Sequence, residues 1–201
     1  MKIENIVFDF GGVLVDWNPR YLYQDLFDTD EQMEYFLTHI CTESWNIEQD
    51  AGRSLEEATK TLQKQFPEYT SLIQRYYDDW EVMLNDQIAE NTALLPKLKD
   101  KNYRLFGLTN WSGETFPIAL KRFSFFKIFE GIVVSGDEKM IKPSDEIYFL
   151  LLNRYQLDPK TSIFIDDNSK NIAAAKKIGF HTIHFCEGTN LEEELKRIKI
   201  L

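Results

Sequence analysis

The chain has 201 residues, 43% of them hydrophobic and 14% aromatic, enough for one sizeable core with an inserted subdomain. A formal net charge of −10 argues against a nucleic-acid or anionic-membrane surface, so any phosphate handled here must meet positive charge gathered locally, from a lysine, a metal ion or helix N-termini. The longest apolar run, residues 147–152, is far too short to cross a bilayer, and Cys41 and Cys186 have no metal-ligand spacing, which reads as buried free thiols in a cytoplasmic protein.

In chain order, the first element is a strand. Ile3, Ile6, Val7 and Phe8 have the composition of a strand buried on both faces, and the run stops at Asp9, followed after Phe10 by Gly11 and Gly12. An aspartate just past the carboxyl end of a strand sits where an open α/β sheet binds its ligand, and the glycines allow an immediate turn and a close approach. Taken alone, the motif reads more readily as a capped turn than as a site.

Residues 16–85 change to helical spacing. Leu22, Tyr23, Leu26 and Phe27 form one stripe; Met33, Phe36, Leu37 and Ile40 follow a capping box opening at Thr29; Leu55, Ala58, Leu62 and Phe66 follow another at Ser54. Tyr69, Leu72, Ile73, Tyr76, Tyr77, Trp80 and Met83 complete the set, so the region is expected to be a small helical bundle without strands. Trp17, Asn18 and Pro19 read as a hinge. Trp45, Asn46, Gln49, Asp50 and Arg53 read either as substrate contacts or as a solvated interhelical turn.

Strands and helices then alternate. A helix over 91–101, with Pro96 bending it or marking its first turns, precedes a strand over 103–108, and a helix is expected over 111–124. Strands over 132–135, 162–165 and 182–185 are separated by helices starting at Ser144 and before Ile172, the latter stopping at Gly179, and a last helix begins near Leu191. This order implies a doubly wound, mostly parallel α/β sheet covered on both faces.

Asp9, Thr109 with Asn110, and Asp166 with Asp167 each follow a hydrophobic strand, and Lys142 lies in the segment after another. Strand C-termini of a parallel sheet share one edge, so these groups are expected to meet in one crevice. Singly they read as a turn hydroxyl, a surface lysine and helix N-terminal acids; together they read as a site. His39, His181 and His184 have no ligand spacing and are given no role.

The ordered set Asp9-Phe10-Gly11-Gly12-Val13-Leu14, Leu108-Thr109-Asn110, Lys142-Pro143 and Ile165-Asp166-Asp167-Asn168 to Asn171 resembles the four motifs of the haloacid dehalogenase superfamily, across nearly the whole chain. The resemblance implies a Rossmann-like catalytic core over 1–15 plus 86–201 and a helical cap over 16–85. It implies Asp9 as nucleophile, Thr109 and Lys142 holding the transferred group, and Mg²⁺ on Asp9, the Gly11 carbonyl, Asp166 and Asp167. Phe10 and Gly11, through backbone amides, and Asn110 and Lys142 are the implied substrate contacts. The implied activity is that of a Mg²⁺-dependent phosphatase of a small phosphorylated metabolite, a sugar phosphate among the choices, through an aspartyl-phosphate.

That chemistry is physically coherent. A carboxylate and a phosphate monoester repel each other, so attack needs cations on the oxygens while the nucleophile stays ionised. One departure stands out: most phosphatases of this superfamily carry a second aspartate two residues after the nucleophile as general acid and base, and Gly11 occupies that position. Either the leaving group needs little protonation, as in an anomeric sugar phosphate, an acyl phosphate or pyrophosphate, or another acid enters from Asp16 or the cap. Two further readings remain open at this level, a metal-independent 2-haloacid dehalogenase and a non-catalytic binding protein on the same scaffold.

Overall fold

A computed structural model describes residues 2–201. Its centre is a five-stranded parallel sheet built from β1 (Asn5–Phe8), β4 (Arg104–Thr109), β5 (Gly131–Val134), β6 (Ser162–Asp166) and β7 (His181–His184), in the order β5-β4-β1-β6-β7. Two short strands, β2 (Val15–Trp17) and β3 (Leu84–Gln87), pair antiparallel outside it. The sheet is the expected one, with strand ends within about two residues of those read from the sequence.

Side-chain alternation along β1 divides the core. Ile6 and Phe8 join one buried cluster and Val7 the other, each strand residue facing the opposite side from its neighbour. On the Val7 side, helices Asp145–Tyr155 and Ser169–Ile178 bring Ile147, Tyr148, Leu151 and Ala175 onto the sheet. On the Phe8 side, helices Leu94–Asp100, Phe116–Arg122 and Leu191–Arg197 bring Leu98, Ala119 and Leu195. Both faces are thus covered, which is why the strands read as continuous apolar runs.

Register lines up the chemistry. Phe8 pairs with Gly107 on one side and Ile165 on the other, and the Asp9 amide donates to the Ile165 carbonyl at 2.8 Å. The residues that follow, Asp9 and Asp166, therefore emerge side by side at the carboxyl edge of the sheet. Thr109, paired with Val134, ends the neighbouring strand.

Between β2 and β3 lie six helices and one 3₁₀ turn. The caps expected at Thr29 and Ser54 are present: their hydroxyls accept the amides of Gln32 at 3.3 Å and Glu57 at 3.2 Å. The buried faces of these helices belong to the same cluster as the Phe8 side of the sheet, so the insert and the sheet share one apolar core.

Several local expectations are corrected. The pair β2 and β3 departs from the expected all-helical insert, because strands this short, with β3 exposed beyond Leu84, carry no period-two signal. The segment around Trp45 is a helix, Glu43–Asp50, capped by the Thr42 hydroxyl on the Trp45 amide at 3.1 Å, rather than an interhelical turn. The helix expected from 111 begins only at Phe116, since the backbone of 111–115 is committed to turns around Ser112, and Pro117 marks the first turn. Ser135 opens a short helix, Ser135–Glu138, rather than ending a strand. Cys41 is buried as expected, whereas Cys186 is exposed in a surface turn where its amide donates to the Thr189 hydroxyl at 3.1 Å. No helix among the described residues is long and apolar enough to cross a membrane.

Candidate active site

Asp9 is held by what lies beneath it. Phe10 is fully buried, stacked on Phe116 and edge-on to Phe126 and Phe129, and Gly107 on β4 makes room for its ring: a Cβ there would come within 2.2 Å of Phe10 Cζ. The turn is tied up by the Phe10 carbonyl, which accepts the amides of Val13, Leu14 and Val15, and by the Gly12 amide, which donates to Val15. The Gly11 carbonyl receives none of these four bonds. Asn91 Nδ2 secures the far side of the turn on the Val13 carbonyl at 2.7 Å. Gly12 has φ +69°, and a Cβ on it would meet Asp167 Oδ2 at 2.3 Å, so position 12 needs glycine for both conformation and space.

Lys142 is the hub of the charges. Its ammonium, 1% exposed, lies 2.9 Å from Asp9 Oδ2 and 2.7 Å from Asp166 Oδ2. Asp166 is wholly buried and saturated: its Oδ1 accepts the Asn168 amide at 2.7 Å, and Asn171 Nδ2 donates to both oxygens at 3.0 and 3.1 Å. Burial alone would pull the lysine pKa down, but Asp9 and Asp166 outweigh it and hold the ammonium above its ordinary value. Burial pushes Asp9 above the ordinary carboxylate range, with Lys142 opposing and Asp166 reinforcing the shift.

Carboxylate oxygens of Asp9, Asp166 and Asp167 lie within 4.8 Å of one another. Three carboxylates facing one ammonium leave two negative charges uncompensated when all are ionised, the deficit a divalent cation fills, and all the donors are the hard oxygens Mg²⁺ prefers. Asp167 is also raised, first by burial and then by Asp166, and His184 Nε2 lies 2.9 Å from its backbone carbonyl. His184 thus stands behind the metal-type cluster although nothing in its sequence spacing indicates this.

Thr109, 1% exposed, ends β4 beside this group. Asn110 differs from expectation. Its Nδ2 donates to the Lys142 carbonyl at 2.9 Å and its Oδ1 accepts the Lys142 amide at 2.8 Å, so the amide fixes the lysine backbone from a position that also lines the cavity. The Phe10 amide likewise donates to Asp9 Oδ1 at 2.7 Å, orienting that carboxylate instead of standing free for a ligand. Asn171, the end of the fourth motif, thus positions Asp166, and Asn91 does structural work at the site that strand-end reading could not assign.

A cavity of about 530 Å³ opens over these groups, lined by Asp9, Gly11, Asn110 and Asp167 from the sheet edge and by Asn46 and Asp50 from helix Glu43–Asp50. A narrower chamber of about 120 Å³ adjoins it, with Trp17, Tyr77, Trp80 and Trp111 forming aromatic walls. Of the other cap residues, Gln49 and Arg53 are structural: Gln49 Nε2 donates to the Trp45 carbonyl and to Tyr77 Oη at 2.8 and 2.6 Å, and Arg53 Nε donates to Gln49 Oε1 at 2.7 Å. Asp16 lies on β2 and ties it to β3, accepting from Tyr21 Oη at 2.8 Å and from Asn85 Nδ2 at 2.9 Å.

The chain is 27% identical over 192 residues to a sesquiterpene phosphatase of Aspergillus oryzae, covering 96% of this chain and 94% of that protein. It is 25% identical to a D-ribitol-5-phosphate phosphatase of Bacteroides thetaiotaomicron, covering 96% and 97%. The fold matches a haloacid dehalogenase family enzyme of B. thetaiotaomicron solved as a magnesium complex, with a TM-score of 0.78 at 21% identity over 98% of this chain and 100% of that one. The family model for haloacid dehalogenase-like hydrolases matches residues 6–185, and with the strand-end acids and buried lysine those residues carry, the chain belongs to that family of enzymes.

Proposed function

We propose that this enzyme is a Mg²⁺-dependent phosphatase of a small phosphorylated metabolite, such as a sugar phosphate, working through an aspartyl-phosphate on Asp9. The observation that carries the reading is the buried Lys142 ammonium shared between Asp9 and Asp166, with Asp167 completing an acidic group two charges short of balance. Residues 1–15 and 86–201 form the catalytic core in this reading and 16–85 the cap, in a cytoplasmic protein.

Asp9 attacks phosphorus with its carboxylate oriented by the Phe10 amide on Oδ1 and Lys142 on Oδ2. Lys142 and the Thr109 hydroxyl hold the phosphoryl oxygens, while Asn110 keeps the lysine in register through its backbone. Asp9, Asp167 and the Gly11 carbonyl would hold the cation, and Asp166 contributes chiefly by fixing Lys142, since its own oxygens are already engaged. When bound, Mg²⁺ supplies the charge neutralisation that lets an anionic nucleophile meet an anionic ester. Water then releases orthophosphate from Asp9, dividing one hard displacement into two easier ones.

The phosphatase names of the relatives support the same choice. A metal-independent dehalogenase would bring the carboxylate of a 2-haloacid against Asp167 with no cation between them, which the charge count disfavours. The test is orthophosphate release from a panel of sugar phosphates, acyl phosphates, nucleotides and pyrophosphate, with and without EDTA, beside halide release from 2-chloropropionate. Phosphate release abolished by EDTA is expected. Halide release that survives EDTA, with no phosphate released from any ester, would overturn the reading.

A further inference from the structure

Position 11 is where the reaction lacks a proton donor, and the structure leaves that position open: a Cβ on Gly11 would have nothing within 4 Å. The space belongs to the two adjoining cavities, and both are lined by Gly11 from the sheet edge and by Asp50 from the last turn of helix Glu43–Asp50. Asp50 comes from the other half of the molecule, yet it is pinned. Its backbone carbonyl accepts a 2.6 Å bond from the buried Ser135 hydroxyl, which in turn accepts the Trp111 amide at 2.9 Å. Two residues on, Gly52 has φ +97°, and a Cβ there would meet Lys139 Cγ at 2.9 Å and the Gly136 carbonyl at 3.0 Å, so the end of this helix docks closely on the short helix Ser135–Glu138 and the residue after it.

We propose that Asp50 is the general acid and base of this enzyme, supplied from the cap in place of the side chain that Gly11 lacks. This rests on the phosphatase reading above. In the first half, the bond from an Asp9 oxygen to phosphorus forms while the bond from phosphorus to the leaving oxygen breaks, and that oxygen takes the proton of the Asp50 carboxyl. In the second, the Asp50 carboxylate takes a proton from water as the water oxygen bonds to phosphorus. The bond from phosphorus to Asp9 then breaks, orthophosphate leaves, and both aspartates return to their starting forms.

The environment suits the task. Burial pushes the Asp50 carboxyl up to about 7, against the opposing effects of the Ser112 backbone amide and the Lys142 charge, so a substantial protonated fraction exists at neutral pH. The titratable groups around it are Lys142, Tyr76 and Tyr77, with Glu43, Asp9 and Asp167 lining the same cavity. Asp16, the other acid weighed from the sequence, is held by Tyr21 and Asn85 at the strand pair and lines neither cavity. With an acid from the cap, the leaving group need not be an activated one.

The test compares Asp50→Asn with the parent on an alkyl phosphate, whose alkoxide needs a proton, and on 4-nitrophenyl phosphate, whose phenolate does not. Asp50→Asn is expected to lose about 10²–10⁴-fold on the alkyl ester and far less on the aryl ester. Adding Gly11→Asp to that variant should restore at least about a tenth of the alkyl activity, the carboxyl entering the open space at position 11. Equal losses on both esters, or no loss on either, would overturn the assignment while leaving the phosphatase reading intact. A parent enzyme inactive on every phosphate ester would instead remove that reading and this one with it. Should Asp50→Asn not fold, the parent decides alone: rates within about tenfold on the two esters support an internal acid, and a steep fall with leaving-group basicity contradicts it.

Discussion

Lys142 is a charged side chain buried to 1% exposure, and the two carboxylates it touches make its position tenable. Removing one member of such a group costs about 3–5 kcal/mol, because the remaining charges lose their partner in a poorly hydrated place. Lys142→Met should therefore lower unfolding stability by about that amount and abolish turnover. Millimolar Mg²⁺ should recover part of the stability, since the cation would relieve the carboxylates left behind; chemical denaturation with and without Mg²⁺ checks this. Asp50 makes the opposite bargain between stability and function. Its carboxyl is raised from 3.8 to about 7 in the folded chain, so between those values the native state holds the proton more tightly than the unfolded one. Stability from this group is full below about pH 4 and lost as pH rises through about 7. Asp50→Asn should melt above the parent at pH 8, with the advantage vanishing near pH 4; a variant that melts lower at pH 8 contradicts the shift.

At the level of elements, the strand ends were legible because β1, β4 and β6 are buried on both faces and stop at polar residues. Their roles were less so. Asn110 follows a strand as a ligand-binding residue would, yet its amide pairs with both backbone groups of Lys142, a pairing of residues 32 apart that no local pattern encodes. Helix Glu43–Asp50 was hidden because only Gln49 in it is fully buried, leaving no apolar stripe. Gly107 is a similar case: a glycine inside a strand signals that something approaches closely, and the approaching group is the Phe10 ring from the turn that follows β1. Gly107→Ala must displace that ring, and overpacking of this kind costs about 1–3 kcal/mol. Because Phe10 precedes the turn that carries the site, turnover should fall along with the midpoint of unfolding. An unchanged midpoint would contradict the close packing seen here.

Across the whole molecule, the proposed mechanism requires the helical insert to meet the sheet edge. Their apolar clusters are continuous, and a few polar bonds fix the contact near the site: Ser135 on the Asp50 carbonyl, and Glu114 Oε1 accepting the Leu55 amide at 2.9 Å. Ser135→Ala leaves buried backbone groups of Trp111 and Asp50 without their partner, a cost of about 1–3 kcal/mol concentrated at that junction. Hydrogen exchange should then quicken in helix Glu43–Asp50 while the amides of β1 stay protected; uniform exchange across the chain would mean that the hydroxyl does not fasten the insert. The whole account turns on Asp9 accepting the phosphoryl group, and the most direct measurement is acid-quenched mass spectrometry during turnover of 4-nitrophenyl phosphate. It should find one phosphoryl group on the peptide containing Asp9, dependent on Mg²⁺ and absent from Asp9→Asn; sustained turnover with that peptide unmodified, or with the phosphoryl group on another residue, would contradict it.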